Sequence, residues 1–388
     1  MNLTDLESRL LFIRRHLHQY PELSNEEFET TKSIATWLRE EEIDIRPTSL
    51  ETGVFAEIKG GKPGSTIALR ADIDALPIEE QTCLPFSSKI KGKMHACGHD
   101  FHTAAVIGAA YLLKEEQENL QGNIRILFQP AEEFGAGAKK VMDDGQLEDV
   151  DAIIGLHNKP DLPVGTIGLK NGPLMAAVDR FKVVIRGKGA HAALPHNGHD
   201  PIVTAAQLIT GLQTIVSRNV SPLKSAIVSV TKIEGGNTWN VIPGSVTIEG
   251  TVRSFNPEIR ELIKERFYAV TKHVTAAFAQ KEDIYWYPGP PQLSNHSVIT
   301  EITRNAAKKL SLRVIDPEPS PAGEDFAYYL KKVPGTFVFF GTNGKEDWHH
   351  PSFTLDETAI INAAYFLYES AKELLEQQKL INLVKTEY

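Results

Sequence analysis

A chain of 388 residues is longer than one core usually serves, which predicts two domains or one large domain carrying an insertion. Hydrophobic residues at 41%, charged residues at 23%, and 28 Gly and 22 Pro spread along the chain exclude disorder, collagen and coiled coil. Lys+Arg of 41 against Asp+Glu of 50 leave a net charge of -9 with no basic stripe, so no nucleic-acid partner is expected. With no apolar leader and no run of 18 apolar residues, no membrane association and a cytoplasmic location are expected. Cys83 and Cys97 are the only cysteines, too few for a disulfide framework.

In chain order, Thr4-Asp5-Leu6-Glu7 has the pattern of a capping box, and Leu6, Leu10, Ile13 and Leu17 follow at helical spacing. Ser24 with Glu27 repeats the pattern before Phe28, Thr31, Ile34 and Leu38, so two helices are predicted ahead of the first strands. Val54 to Ile58, Ile67 to Ala71, Asn123 to Phe128 and Ala152 to Leu156 are short apolar runs suited to buried strands. Phe101 to Gln117 and Gly137 to Gly145 read as helices between them, and the alternation predicts an α/β core.

The texture changes at Asp179. Arg180 to Arg186, Ala226 to Ile233, Ser245 to Arg253 and Ile284 to Tyr287 read as strands, with helices over Pro201 to Arg218 and Pro257 to Phe278. The order β-α-β-β-α-β is a split ferredoxin-like unit and reads as an inserted α+β domain. The organisation expected is therefore 1–178 and 289–388 as two parts of one α/β domain, with 179–288 inserted. A helix from Val298, a strand over Thr336 to Phe340 and a closing helix from Leu355 complete the chain.

Metal-competent residues fall just past the predicted strands. Glu132 and Glu133 follow Ile124 to Phe128, His157 follows Ala152 to Leu156, and His349-His350 follow Phe337 to Phe340. Open α/β sheets bind ligands at the carboxyl ends of their strands, so these residues are expected to converge. Met94 to Asp100 adds Cys97 and His99, giving a mixed sulfur, nitrogen and oxygen set suited to zinc or another borderline ion. Singly, each piece has a bland reading: a satisfied structural histidine, a buried thiol acting as a small hydrophobe, or a solvated acidic helix start. Together they favour chemistry, because one glutamate of a pair can hold a metal while its neighbour takes a proton from water. Asp72 and Asp74, two apart at a strand end, share a face in extended structure and are suited to orienting ligands.

Ala68 to Pro77, Met94 to Asp100, Gln129-Pro130-Ala131-Glu132-Glu133, Gly155-Leu156-His157-Asn158 and His349-His350-Pro351 together resemble the metal-dependent amidohydrolases of the aminoacylase and carboxypeptidase-G clan. The nearest branch holds hippurate hydrolases, N-acetyldiaminopimelate and N-acetylcysteine deacetylases, and indoleacetyl-amino-acid hydrolases. The resemblance implies a mixed-sheet, zinc-peptidase-like α/β catalytic domain with an inserted ferredoxin-like dimerisation domain, and hence a homodimer. It implies that Cys97, His99, Glu133, His157 and His349 hold two divalent ions per subunit (zinc, manganese, cobalt or nickel), that Glu132 is the general base and acid, and that Asp74 steadies the site. Asp72 stands where distant members of the clan place a metal-binding histidine. His191, in Gly187 to Ala192, matches a histidine that reaches the partner subunit's site and stabilises the oxyanion, while Asn240 and Arg253 match substrate-binding positions. Gly323-Glu324-Asp325-Phe326 resembles a substrate-side loop.

The reaction implied is hydrolysis of the amide of an N-acyl-L-amino acid, a small-molecule substrate, by hydroxide on the metal with Glu132 shuttling the proton. A dipeptidase or carboxypeptidase of the same clan, a cysteine-nucleophile amidase built on Cys97 and His99, and a non-catalytic binding protein are the rival readings.

Overall fold

The structure, a computed structural model, describes residues 2–385. The chain divides into two compact units: the first runs through Leu174 and returns over Leu293–Glu318 and from Glu324 onward, and the second comprises Met175–Gln292 with Pro319–Gly323.

The first unit is built on an eight-stranded mixed sheet. Its order is Asp44–Ile45, Val54–Lys59, Gln121–Gln129, Lys62–Asp72, Ala152–Lys159, Gly335–Gly341, Thr166–Gly168 and Arg313–Ile315. The four central strands run parallel, and Val54–Lys59 and Thr166–Gly168 flank them antiparallel. Parallel strands covered on both faces are apolar along most of their length, which is why Ala152 to Leu156 reads as an unbroken run and Ile67 to Ala71 as a run interrupted only by Arg70, rather than as alternations. The helix His99–Glu115 is nearly all buried. A Cβ at Gly108 would lie 2.7 Å from both Ala364 Cβ and Leu10 Cδ1, so this glycine lets the helix meet Ala359–Glu376 and Leu3–Gln19 at close range.

Both sequence capping boxes are corrected. The first helix is Leu3–Gln19, capped by Asn2, whose side chain accepts the Asp5 N–H at 2.9 Å, rather than by Thr4. The second is Phe28–Glu40, and neither Ser24 nor Glu27 caps it with a side chain. Glu22 does so from further back, its carboxylate accepting the N–H groups of Glu29 at 3.2 Å and Thr30 at 2.8 Å.

The second unit carries a four-stranded antiparallel sheet ordered Ala226–Glu234, Ser245–Ser254, Ala177–Arg186 and Lys281–Pro288. Helices Pro201–Asn219 and Pro257–Ala277 pack on it, burying Leu208, Leu212, Ile263 and Phe267 against Phe181, Val183, Ile185 and Ile248. Each helix begins with a side-chain cap followed by proline at the first position, where a missing N–H costs nothing: Asp200 accepts from Ile202 and Asn256 from Ile259. In chain order the elements run β-α-β-β-α-β. Among the described residues no helix is long and apolar enough to cross a membrane.

Candidate metal centre

The four central strands bring the candidate residues together at their carboxyl ends. Asp72 ends its strand and Asp74 follows it, Glu132 and Glu133 lie just beyond Gln129, His157 sits near the end of Ala152–Lys159 opposite Phe339, and His349 follows the strand ending at Gly341. Cys97 and His99 arrive on the loop that opens the helix His99–Glu115. Gly98 between them has φ +82°, and a Cβ there would lie 2.4 Å from Asn158 Nδ2, so only glycine fits. His349 also takes a left-handed backbone, φ +65°, with its N–H donated to Ala96 O at 2.9 Å. A non-glycine residue held there costs on the order of 1–2 kcal/mol.

Cys97 Sγ is 3.4 Å from His157 Nε2, and His99 Nε2 is 3.9 Å and His349 Nε2 3.2 Å from Glu133 Oε1. Ligand atoms in each of the sets Cys97/His99/His157, Cys97/Glu133/His349 and His99/Glu132/Glu133 lie within 4.8 Å of one another. The overlapping triplets tie all five proposed ligands and Glu132 into one cluster.

Hydrogen bonds behind the cluster select the inward-facing atoms. His99 Nδ1 lies 3.3 Å from Asp74 Oδ1 and His157 Nδ1 donates to Asn158 O at 2.8 Å, so each histidine turns its Nε2 to the centre. His99 Nε2 and Glu133 Oε1 are buried and have no hydrogen bond. Buried polar atoms are nearly always paired, so a buried His99 Nε2 with no hydrogen bond, turned towards a Glu133 oxygen that also faces His349 Nε2, suits a cation shared among them.

The electrostatics agree. Burial acts against a charge on His99, but the carboxylates of Asp72, Asp74 and Glu133 outweigh it and push its pKa up to about 10. Burial, then Glu133 and Glu132, drives the Cys97 thiol well above its ordinary value. Burial, reinforced by His102, holds His157 neutral. A thiolate is unfavourable among these carboxylates until a positive ion joins them, and neutral His157 is in the form that ligates. Glu132 is raised well above the usual carboxylate range by burial and by Glu324, Asp325 and Glu133, while its Oε1 accepts the Asp325 N–H at 3.2 Å.

Of the two terminal histidines, His349 faces Glu133, whereas His350 Nδ1 accepts the Ser352 N–H at 3.1 Å. Asp72 is committed elsewhere: Oδ1 accepts from His102 Nδ1 at 2.6 Å and Oδ2 from Arg70 Nη1 at 2.8 Å. His102 Nε2 accepts the Asn158 N–H at 2.9 Å, which fixes the Nδ1–H tautomer.

Several neighbours were not picked out from sequence. Fully buried Arg70 also reaches Glu324 at 2.9 Å, Asp325 at 3.0 Å and Gln129 at 3.0 Å. Glu324 and Asp325 thus face this buried guanidinium. Trp348 packs on His157 with ring centroids 4.5 Å apart. His102 was within reach of sequence reasoning, lying three residues after His99 on the same helical face. So was Arg70, a lone charge inside a buried apolar strand.

His191, Asn240 and Arg253 belong to the second unit. His191 pairs with Val241 across a two-residue ladder and Ala192 N–H donates to Asn240 O at 3.0 Å, so the first two are neighbours. Arg253 lies opposite Val178 and Ile227 and lines a cavity of about 500 Å³ within this unit.

Residues 68–373 match the model of peptidase family M20/M25/M40. The chain is 67% identical over 379 residues to N-acetyl-L-cysteine deacetylase of Bacillus subtilis, covering 98% of this chain and 91% of that protein. It is 41% identical to the IAA-amino acid hydrolase ILR1-like 5 of Arabidopsis thaliana, over 94% of this chain and 86% of that one. Among solved structures, the Bacillus subtilis YXEP protein, a dinuclear metal binding peptidase from the M20 family, superposes with a TM-score of 0.89 at 49% identity, covering 97% of this chain and 100% of that one. Strand order, the converging ligand set and these likenesses have one conclusion: the chain belongs to peptidase family M20/M25/M40.

Proposed function

We propose that this chain is a metal-dependent amidohydrolase that cleaves the amide of N-acyl-L-amino acids, with N-acetylated amino acids as its first substrates. The observation that carries the reading is the cluster of Cys97, His99, Glu133, His157 and His349, in which His99 Nε2 is buried without a hydrogen bond and Glu133 Oε1 faces both His99 and His349. The donor set fits two borderline divalent ions (zinc, manganese, cobalt or nickel), which would supply Lewis acidity and a nucleophile from water at neutral pH. The likeness to the deacetylase and to the dinuclear peptidase supports both halves of the reading.

Glu132 is the proton carrier. Burial and its acidic neighbours raise its proton affinity, so it is suited to take a proton at Oε from the attacking water and return it to the leaving nitrogen. The Asp325 N–H holds that carboxylate in place. Asp74 orients His99 through Nδ1 and Glu133 through its backbone N–H. His191 is assigned the hydrogen bond to the oxyanion in the partner subunit's site, and Asn240 and Arg253 the polar groups and carboxylate of the substrate. Residues 179–288 are read as the dimerisation domain of a cytoplasmic homodimer. Exposed Ile227 and Ile233 on the edge strand Ala226–Glu234 support an interface there.

The test measures amine release from acetyl, succinyl, benzoyl and indoleacetyl conjugates and from dipeptides, using chelated protein reloaded with each metal. N-acetyl-L-cysteine and related acetyl conjugates should be cleaved and chelation should abolish turnover. Negligible amine release from every conjugate, with dipeptides cleaved, would replace this reading with a peptidase.

A further inference from the structure

The structure assigns Glu27 as a positioning residue that sets the turn carrying Glu132 and Glu133, an inference that rests on the roles proposed above for those two glutamates. In sequence Ser24 and Glu27 look like a helix cap, yet neither side chain caps the helix Phe28–Glu40, because Glu22 satisfies the N–H groups of Glu29 and Thr30. Released from that duty, the Glu27 carboxylate is fully buried and its Oε1 accepts the Ala131 N–H at 2.8 Å. Ala131 needs that partner. It is buried, follows a proline that has no N–H, and holds φ at +56°, a conformation an alanine adopts only where its surroundings impose it. Its own carbonyl accepts the Gly137 N–H at 3.2 Å, which fixes the other side of the peptide.

The far end of the turn is held from the same segment. Ser24 donates to Asp74 Oδ2 at 2.6 Å, and that oxygen accepts the Glu133 N–H at 3.0 Å. Leu23 bridges Ala75, whose N–H donates to Glu22 O at 2.8 Å, which fastens the strap to the strand end bearing Asp74. Residues 22–27 thus grip the turn at Ala131 directly and at Glu133 through Asp74. The grip matters because adjacent side chains at 132 and 133 must part company, one to hold an ion and the other to remain free. A buried carboxylate placed near Asp74 is a costly way to fill space, so packing alone does not account for it.

The test uses the full chain, stripped and reloaded with Co2+, and compares Glu27→Asp with Glu27→Gln. The first keeps the charge and withdraws the acceptor by a methylene; the second keeps the length and an acceptor oxygen. Glu27→Asp should lower kcat on N-acetyl-L-cysteine about 10- to 100-fold with KM within roughly twofold, weaken Co2+ binding about tenfold and alter its visible absorption bands. Glu27→Gln should stay within roughly threefold of wild type on each measure and keep the wild-type bands. Glu27→Met, which fills similar space with neither charge nor acceptor, should repeat the loss and serves if the Asp variant does not fold. Wild-type kcat, affinity and spectrum in a folded Asp or Met variant, or equal losses in the Gln variant, would overturn the assignment. Glu133→Ala is the control for the underlying reading. If it leaves Co2+ affinity and spectrum unchanged, the ligand assignment falls, whereas its failure to bind Co2+ beside an unaffected Glu27→Asp sinks the strap alone.

Discussion

The side chain of Asp74 accepts the backbone N–H of Glu133 at 3.0 Å while its other oxygen lies 3.3 Å from His99 Nδ1. One carboxylate thereby spaces two proposed ligands that lie 34 positions apart in sequence. Asp74→Ala should weaken metal affinity by about 10- to 100-fold, the usual effect of removing a partner behind a ligand. Competition with a chromophoric chelator measures this, and an unchanged affinity would show that His99 and Glu133 hold their places unaided.

Glu132 is the group whose removal should separate chemistry from metal binding. Glu132→Ala is expected to cut kcat by about 10²- to 10⁴-fold while metal content stays at the wild-type level. Turnover at the wild-type rate would remove it as the proton carrier.

Cys97 is buried, Cys83 is exposed, and burial with Glu133 and Glu132 raises the Cys97 thiol. A catalytic cysteine needs the opposite shift. Alkylation of the metal-loaded enzyme should therefore modify Cys83 and spare activity, whereas chelation should abolish activity and lower the melting temperature. Ligand present at about a hundred times its dissociation constant contributes about 2.7 kcal/mol to the folded state. Loss of activity on alkylation with metal retained would favour the thiol nucleophile.

Gly108 poses a contest between backbone propensity and packing. Alanine gains about 1 kcal/mol over glycine inside a helix, but here its Cβ would sit 2.7 Å from Ala364 Cβ and Leu10 Cδ1. Overpacking of that kind costs about 1–3 kcal/mol, so Gly108→Ala should lower stability in urea unfolding, and a stabilised variant would mean that the three helices separate easily.

Glu80 ties the long loop before Cys97 to the first helix. Burial by itself would raise its pKa, but hydrogen bonds with His18 and Thr82, the charge of His18 and the Ser88 N–H bring it down to about 2. A carboxylate depressed in the folded state stabilises it above the unfolded value, about 4.3, and that contribution fades as pH falls towards 2. Glu80→Gln should lower stability at neutral pH and flatten its decline between about pH 4.3 and 2, as followed by urea midpoints against pH. An identical acid limb in the variant would assign the decline to other carboxylates.

The main elements of both units were legible because buried parallel strands and amphipathic helices write their period into sequence. Strands Thr166–Gly168 and Arg313–Ile315 were not, since three residues are too few to show a period. Glu132, Glu133, His157 and His349 could be placed near one another because each lies at or beyond the carboxyl end of a strand of a single parallel set. The side chains behind them were harder to find. Arg70 meets Glu324 across 254 residues of sequence, and Ser24 and Glu27 satisfied a local capping pattern while their real partners, Asp74 and the Ala131 N–H, lay elsewhere. A local motif reports what a residue is able to do, and the tertiary fold decides which option is taken.

The hydrogen bonds of Ser24 and Glu27, together with the buried ion pair of Arg14 and Asp100 at 3.0 Å, come from residues upstream of position 68, where the family match begins. A fragment trimmed to the matched segment would keep every proposed ligand and the proton carrier, yet lose the clamps on the turn and on the helix that present them. The smallest piece of this chain expected to turn over substrate is therefore larger than the segment matched by the family model, and amino-terminal trimming is a poor route to a compact biocatalyst.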